Sequence, residues 1–214
     1  MARIPANKPT RDRVIEPEST ALLLVDVQNA VYNDKQAAIR PEFDAVARET
    51  VLPNLVKLIR ASRAAGIEVI YTVIENLTKD GRDRSLDYKL SGISIAKGSW
   101  EAKVVDAVAP ADDELVIPKT SSSLFNSTNI DYLLRNLGVE ELVVTGFLTD
   151  QCIDHTVKDA ADRGYYPTLI RDACMANTRE RHEAALTCFA GYCRMLTTEQ
   201  FLAMISAARQ AASA

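Results

Sequence analysis

Residues 141–174, ELVVTGFLTDQCIDHTVKDAADRGYYPTLIRDAC, decide the fold. Residues 141–145 form a short apolar run without alternation, which predicts a strand buried on both faces and running into Gly146. A helix is predicted from just after Cys152 to Arg163, with Gly164 as its cap, and residues 167–170 give the next strand, ending at Arg171-Asp172. Strand, helix and second buried strand make the crossover unit of a parallel sheet. Outward from this unit the pattern recurs. Residues 20–27 are an apolar run closed by Gln28-Asn29, and residues 68–74 (EVIYTVI) and 114–117 read as further strands. Between them Val46, Val51, Leu55, Leu58 and Ile59 recur at helical spacing up to Gly66, with Pro53 dividing the helix or marking a first turn. Helices over 127–136, 178–190 and 198–211 and a short strand over 194–196 complete the reading. The prediction is an α/β fold, a three-layer, doubly wound parallel sheet of about six strands. Residues 1–214 are taken as a single domain with a polar N-terminal arm, 1–18.

Twenty-five Lys and Arg against 29 Asp and Glu give a net charge of -4, without a basic stripe. Nucleic acid is not an expected partner. The apolar runs are too short to cross a bilayer, and residues 1–20 lack the apolar centre of a signal peptide, so no membrane association and a cytoplasmic location are expected. Four Cys, at 152, 174, 188 and 193, are read as separate thiols rather than a disulfide framework.

Ligands of an open parallel sheet bind at the carboxyl ends of the strands, where loops converge and helix N-termini point outward. Those ends carry Asp26, Glu75, Lys119, Cys152 in its TDQC turn, and Asp172. Cys152 falls at a strand-to-helix junction, where the helix dipole is expected to lower the thiol pKa. Asp26 beside it would take the thiol proton and return it to a leaving amine, with Lys119 balancing charge. Taken as isolated residues, they are read first as ordinary structure, with Cys152 packing as a small hydrophobe, Lys119 solvated and Asp26 capping a helix.

Three segments tip that balance: LLLVDVQN (22–29), PKTSSSLFNST (118–128) and the 142–174 stretch. In order and spacing they closely resemble the isochorismatase-like hydrolases, in the cysteine amidohydrolase branch that includes nicotinamidase, N-carbamoylsarcosine amidohydrolase and ureidoacrylate and biuret hydrolases. The resemblance implies a catalytic Asp26, Lys119 and Cys152, a cis peptide between Phe147 and Leu148, and an oxyanion hole from the N–H groups of Leu148 and Cys152. Isochorismatases proper carry a small residue in place of the cysteine, so Cys152 argues against their ether cleavage. The metal-binding branch places histidines after the second strand, and residues 74–90 contain none. A metal-free enzyme without cofactor, acting on a small-molecule amide or ureide and water, is therefore expected.

Glu75-Asn76 and Lys97-Gly98-Ser99-Trp100 resemble the corresponding stretch of ureidoacrylate amidohydrolases, which favours a ureido or carbamoyl substrate. Asn76 is the candidate to bind that group, and Phe125, Tyr32 and Trp100 to wall its pocket. Arg82 and Arg84 are candidates for a substrate carboxylate, set against two Asp in the same loop, and Asn177, Thr178 and Arg179 for the far wall. His155 and His182 lie on predicted helices beyond the site, and residues 77–110 read as a surface loop over it. Cyclic-amide or isochorismate-type ether hydrolysis, and a non-catalytic binding or redox-sensing thiol, are the alternatives. The family's habits and the Ala-rich last helix lead us to expect a homodimer or homotetramer.

Overall fold

Every side chain of Thr20–Val25 (β1) is buried, the condition a central two-faced strand must meet. The computed structural model describes residues 10–212. Residues 1–9 of the expected arm and 213–214 lie outside the described residues. After β1 come β2 (Glu68–Ile74), β3 (Leu115–Lys119), β4 (Glu141–Phe147), β5 (Tyr166–Met175) and β6 (Arg194–Leu196). All pair in parallel, in the order β3-β2-β1-β4-β5-β6. This is the doubly wound order expected, with its switch point between β1 and β4.

The helices are α1 (Asp34–Ile39), α2 (Pro41–Val46), α3 (Leu52–Ala65), α4 (Leu86–Leu90), α5 (Leu124–Ser127), α6 (Ile130–Asn136), α7 (Asp154–Asp162), α8 (Arg179–Phe189) and α9 (Thr198–Ala212). Alternate residues of the strands serve opposite layers. Leu22, Leu24, Tyr71, Val143 and Ile170 pack with Phe43 of α2, Leu55 of α3 and Phe201 of α9. Leu23, Val25, Val144 and Leu169 pack with Leu134 of α6, Val157 of α7 and Phe189 of α8. Each such buried aliphatic side chain contributes about 1.5–3 kcal/mol of transfer free energy, so neither layer is dispensable.

Element boundaries shift where one residue overrides a pattern. Pro53 marks a first turn, the second of its two expected roles: it is the second residue of α3, which the chain enters from a π turn over Ala47–Val51. Pro53 has no N–H for the Glu49 carbonyl, and the wider turn absorbs that loss. Gly66 ends α3 at φ 74°, as its spacing predicts. Pro118 lies inside β3, which is tolerated because β3 is an edge strand. The expected end of β5 at Arg171-Asp172 is a bulge instead. Val144 pairs with Leu169 but Gly146 with Cys174, and the strand runs on to Met175. The helix expected over 127–136 is α6, which starts at Ile130 after a separate short helix, α5, and the break at Thr128 and Asn129.

Candidate active site

Three of the strand-end residues converge at the switch point. Asp26 follows β1 in the left-handed region, φ 55°, which a short polar side chain tolerates at about 1 kcal/mol, and its N–H donates to Thr72 O at 3.0 Å. Lys119 ends β3, two strands away. Its register partner is Ile74, whereas Val25 is level with Thr72, so Lys119 stands beyond the end of β1 and its long side chain reaches back across β2. Cys152 comes from the turn after β4, a π turn over Thr149–Ile153 that leads into α7. Gly146 opens this turn at φ 110°, where a Cβ would stand 2.2 Å from Val25 O, so only glycine lets β4 approach β1 this closely. The Phe147–Leu148 peptide is cis.

The three side chains form one buried charge cluster. Lys119 Nζ lies 2.9 Å from Asp26 Oδ2 and 3.3 Å from Cys152 Sγ, and it donates to Ser121 O at 3.0 Å. Its ammonium is fully buried. Asp26 Oδ1 accepts from Thr72 Oγ1 at 3.3 Å, while Oδ2 has no hydrogen-bond partner beyond the ion pair. Burial opposes the charge on Lys119, yet Asp26, Cys152 and Tyr88 together hold its pKa above the usual lysine range. Burial pushes the Asp26 carboxyl up, against the lowering effect of Lys119.

The thiol departs from the sequence expectation. Burial pushes Cys152 up to about 12, despite Lys119, and the negative charge of Asp26 adds to the rise. The helix-dipole argument fails because Cys152 is only 5% exposed, and loss of water outweighs the turn's N–H groups. A neutral thiol thus stands beside the ion pair of Asp26 and Lys119.

A fourth group was not singled out from sequence. Tyr88, on α4, is 1% exposed; its Oη accepts from Lys119 Nζ at 3.1 Å and lies 3.8 Å from Cys152 Sγ. Burial raises its phenol pKa, so it stays a neutral donor. It reaches the site because its loop docks beside Lys119: Ser85 N donates to Thr120 O at 2.9 Å, and Thr120 Oγ1 to Asp83 O at 3.2 Å. The one signal in the sequence was SLDYKL, a serine cap before a short amphipathic turn, which says nothing of where the turn docks.

A cavity of about 590 Å³ opens above the cluster, lined among others by Asp26, Cys152, Leu148, Ile95, Lys35 and Arg40. The four expected pocket residues are not among its lining side chains. Phe125 is core, stacked on Tyr165 at 5.9 Å between ring centres. Trp100 is 57% exposed on a short turn. Tyr32 packs against the α2–α3 layer. Asn76 sits behind the wall, its N–H donating to Ile95 O and its Nδ2 to Ser94 Oγ, so it shapes the lining without forming it.

Other candidates have structural work. Asp172 caps α9 by accepting from Thr198 N and Oγ1, and Glu75 accepts from Gly98 N. Arg84 donates to Gly81 O and Ile93 O, bracing the loop, and Arg82 pairs with Asp80 at the surface. Asn177 accepts from Arg40, Thr178 caps α8 and Arg179 faces Glu42. His155 contacts Gln151 O and is exposed. His182 is buried with Nδ1 2.8 Å from Thr149 Oγ1, a contact with the cysteine turn, and burial lowers its pKa. Among the described residues no group of three or more His, Cys, Asp or Glu side chains is gathered as a metal site, and no helix is long and apolar enough to cross a membrane.

The isochorismatase-domain profile matches residues 20–200. Ureidoacrylate amidohydrolase RutB of Serratia proteamaculans is 32% identical over 207 residues, covering 86% of this chain and 82% of that protein. The Rhizobium rhizogenes protein of the same name is 31% identical over 178 residues, 74% of this chain and 71% of its own. Among solved structures, a cysteine hydrolase from Pseudomonas syringae superposes with a TM-score of 0.84 at 25% identity, covering 94% of this chain and 99% of the other. N-carbamoylsarcosine amidase from Thermoplasma acidophilum gives 0.70 at 26%, covering 84% and 96%. The chain belongs to the isochorismatase family, and its curated relatives are named amidohydrolases, hydrolases of carbon–nitrogen bonds other than peptide bonds.

Proposed function

We propose that this protein is a cysteine amidohydrolase that cleaves the linear C–N bond of a small ureido or carbamoyl compound, without metal or cofactor. The observation that carries this reading is a thiol, a carboxylate and an ammonium buried together at the floor of a cavity. Burial keeps the thiol neutral at rest, so the proton must leave as the bond forms. Cys152 Sγ attacks the carbonyl carbon while its proton passes to Asp26, whose raised carboxyl is a suitable acceptor. The N–H groups of Leu148 and Cys152, both cavity-lining residues, receive the oxyanion. Collapse breaks the C–N bond, and the amine or ammonia departs with the proton from Asp26. A water molecule, deprotonated by Asp26, then attacks the thioester or thiocarbamate; the acid leaves and the proton returns to sulfur. Lys119 keeps its charge throughout, and Tyr88 donates to sulfur as negative charge grows there.

The named activity of the relatives supports a ureido substrate. Four unpaired thiols suit the cytoplasm, and a homodimer or homotetramer is part of the same reading, checked by light scattering at micromolar concentration. The decisive assay follows ammonia release from a panel of ureides, primary amides, lactams and isochorismate. Turnover confined to lactams or isochorismate overturns the linear-amide reading. Wild-type rates in a folded Cys152→Ala protein overturn the nucleophile.

A further inference from the structure

The chain has two histidines, and both touch the turn that carries Cys152. His155 does so from within its own helix: it is exposed, and its Nδ1 lies 3.0 Å from Gln151 O. His182 comes from α8, and its Nδ1 lies 2.8 Å from Thr149 Oγ1. Thr149 is fully buried, and among the described residues its hydroxyl has no other partner. A hydroxyl both donates and accepts, so the pair closes with either tautomer of the ring. Burial holds the ring below the usual histidine range, so it is uncharged. The start of α8 places it, because Thr178 O accepts from His182 N at 3.0 Å and Thr178 Oγ1 from Arg181 N at 3.2 Å. Arg181 pairs with Asp150, the next residue of the turn, but it is half-exposed and water screens that pair. His182 also lines a second cavity, of about 250 Å³, with Thr50, Arg171 and Asp172. Open space beside the ring means that packing alone does not hold it.

Thr149 and Asp150 stand between Leu148 and Cys152, whose N–H groups receive the oxyanion. Leu148, Gln151 and Cys152 line the cavity of the active site, and Thr149 and Asp150 do not. The turn thus shows one face to the substrate and is gripped by α8 on the other. Oxyanion donors work only when aimed in advance; losing one costs roughly 10²- to 10³-fold in kcat. Without the imidazole a buried hydroxyl loses its partner, and the turn gains by rotating to find another. We propose that His182 is a positioning residue: through Thr149 it fixes the turn so that the Leu148 and Cys152 N–H groups converge on the oxyanion. The inference rests on the amidohydrolase reading and adds to it a residue that touches neither the cavity nor the thiol.

The test uses His182→Leu, which keeps an apolar bulk and removes the ring nitrogens, and His182→Asn, which keeps a polar atom near the place of Nδ1. On the best ureide of the panel, His182→Leu should lower kcat by about 10- to 100-fold and leave KM within about twofold. His182→Asn should recover most of the loss. Iodoacetamide is attacked at a saturated carbon with loss of iodide, a reaction that needs no oxyanion hole. Its rate at Cys152, read by peptide mass because Cys188 is also exposed, should therefore match the wild type in both variants. Thr149→Val removes the hydroxyl from the other side, should reproduce the loss in kcat, and should add little to His182→Leu. It also decides the matter if His182→Leu does not fold. Wild-type kcat in folded His182→Leu or Thr149→Val, or turnover and alkylation lost together, overturns the proposal. If the wild-type protein turns over no compound of the panel, the amidohydrolase reading fails, and hydrogen exchange of residues 147–153 decides. Faster exchange in His182→Leu at an unchanged melting temperature upholds the hold of His182 on the turn, whatever reaction it serves; equal exchange overturns it.

Discussion

Two buried ion pairs sit at opposite ends of the same sheet. At the amino ends of the strands Arg194 meets Glu141, and the pair is closed on all sides: Thr168 Oγ1 donates to Glu141 Oε1 at 2.7 Å, and Arg194 donates to Thr168 Oγ1 at 3.1 Å and to Arg13 O at 2.7 Å. At the carboxyl ends Lys119 meets Asp26, more deeply buried, and there a thiol stands 3.3 Å from the ammonium and the carboxylate lines a cavity. The first pair is satisfied by protein alone and ties β4, β5 and the N-terminal segment together. The second is incomplete without a reacting partner. Burial of charge therefore does not identify a site; a buried pair beside a thiol and open space does.

The largest expected effect falls on the carboxyl end. Cys152→Ala should lower amide turnover by at least about 10⁴-fold with an unchanged melting temperature, measured by ammonia release and thermal denaturation. Next comes a paired test of the two ends. Lys119→Met should cost roughly 10²- to 10³-fold in kcat while the protein still folds, because the Asp26 carboxyl, already raised by burial, takes up a proton when the ammonium is gone. Arg194→Met should leave turnover of the surviving folded protein near wild type and destabilise it by about 3–5 kcal/mol, read from urea unfolding. The reverse pattern would erase the division between ends. Tyr88→Phe should lower kcat by about 10-fold without changing stability in proportion, the effect of one hydrogen bond to a charged group.

The smallest effect lies in the pH profile. Asp26 must be ionised to accept the thiol proton, and its folded pKa is raised, so kcat/KM should fall on the acid side through a value above the ordinary aspartate range near 3.9. Thr72→Val removes a hydrogen bond that favours the ionised form, and so should move that acid limb further up. A limb at or below the ordinary range would mean that Lys119 outweighs burial.

Much of this was legible from short patterns. Thr20–Val25 and Glu68–Ile74 announce themselves as buried strands, Gly66 as a cap, and Asp26, Lys119 and Cys152 as charged or nucleophilic residues at strand ends. Phe125 and Trp100 stand outside the cavity lining because an aromatic residue after a strand fits a pocket wall, a core stack or an exposed turn equally well, and local sequence holds nothing that separates them. Tyr88 was missed for the opposite reason. Its stretch has no periodicity, and its importance depends on Ser85 and Asp83 anchoring the loop at Thr120.

By itself the sequence determined the parallel sheet and the three chemical groups offered at its edge, because hydrophobic period and residue type are local properties of the chain. The tertiary structure decided the rest. Strand order and register bring Lys119 across β2 to Asp26, burial reverses the expected shift of the Cys152 thiol, and the packing of α8 sets His182 against Thr149 in the cysteine turn. Each of these depends on desolvation and on distances between residues far apart in the chain, and both are set only when the chain has folded.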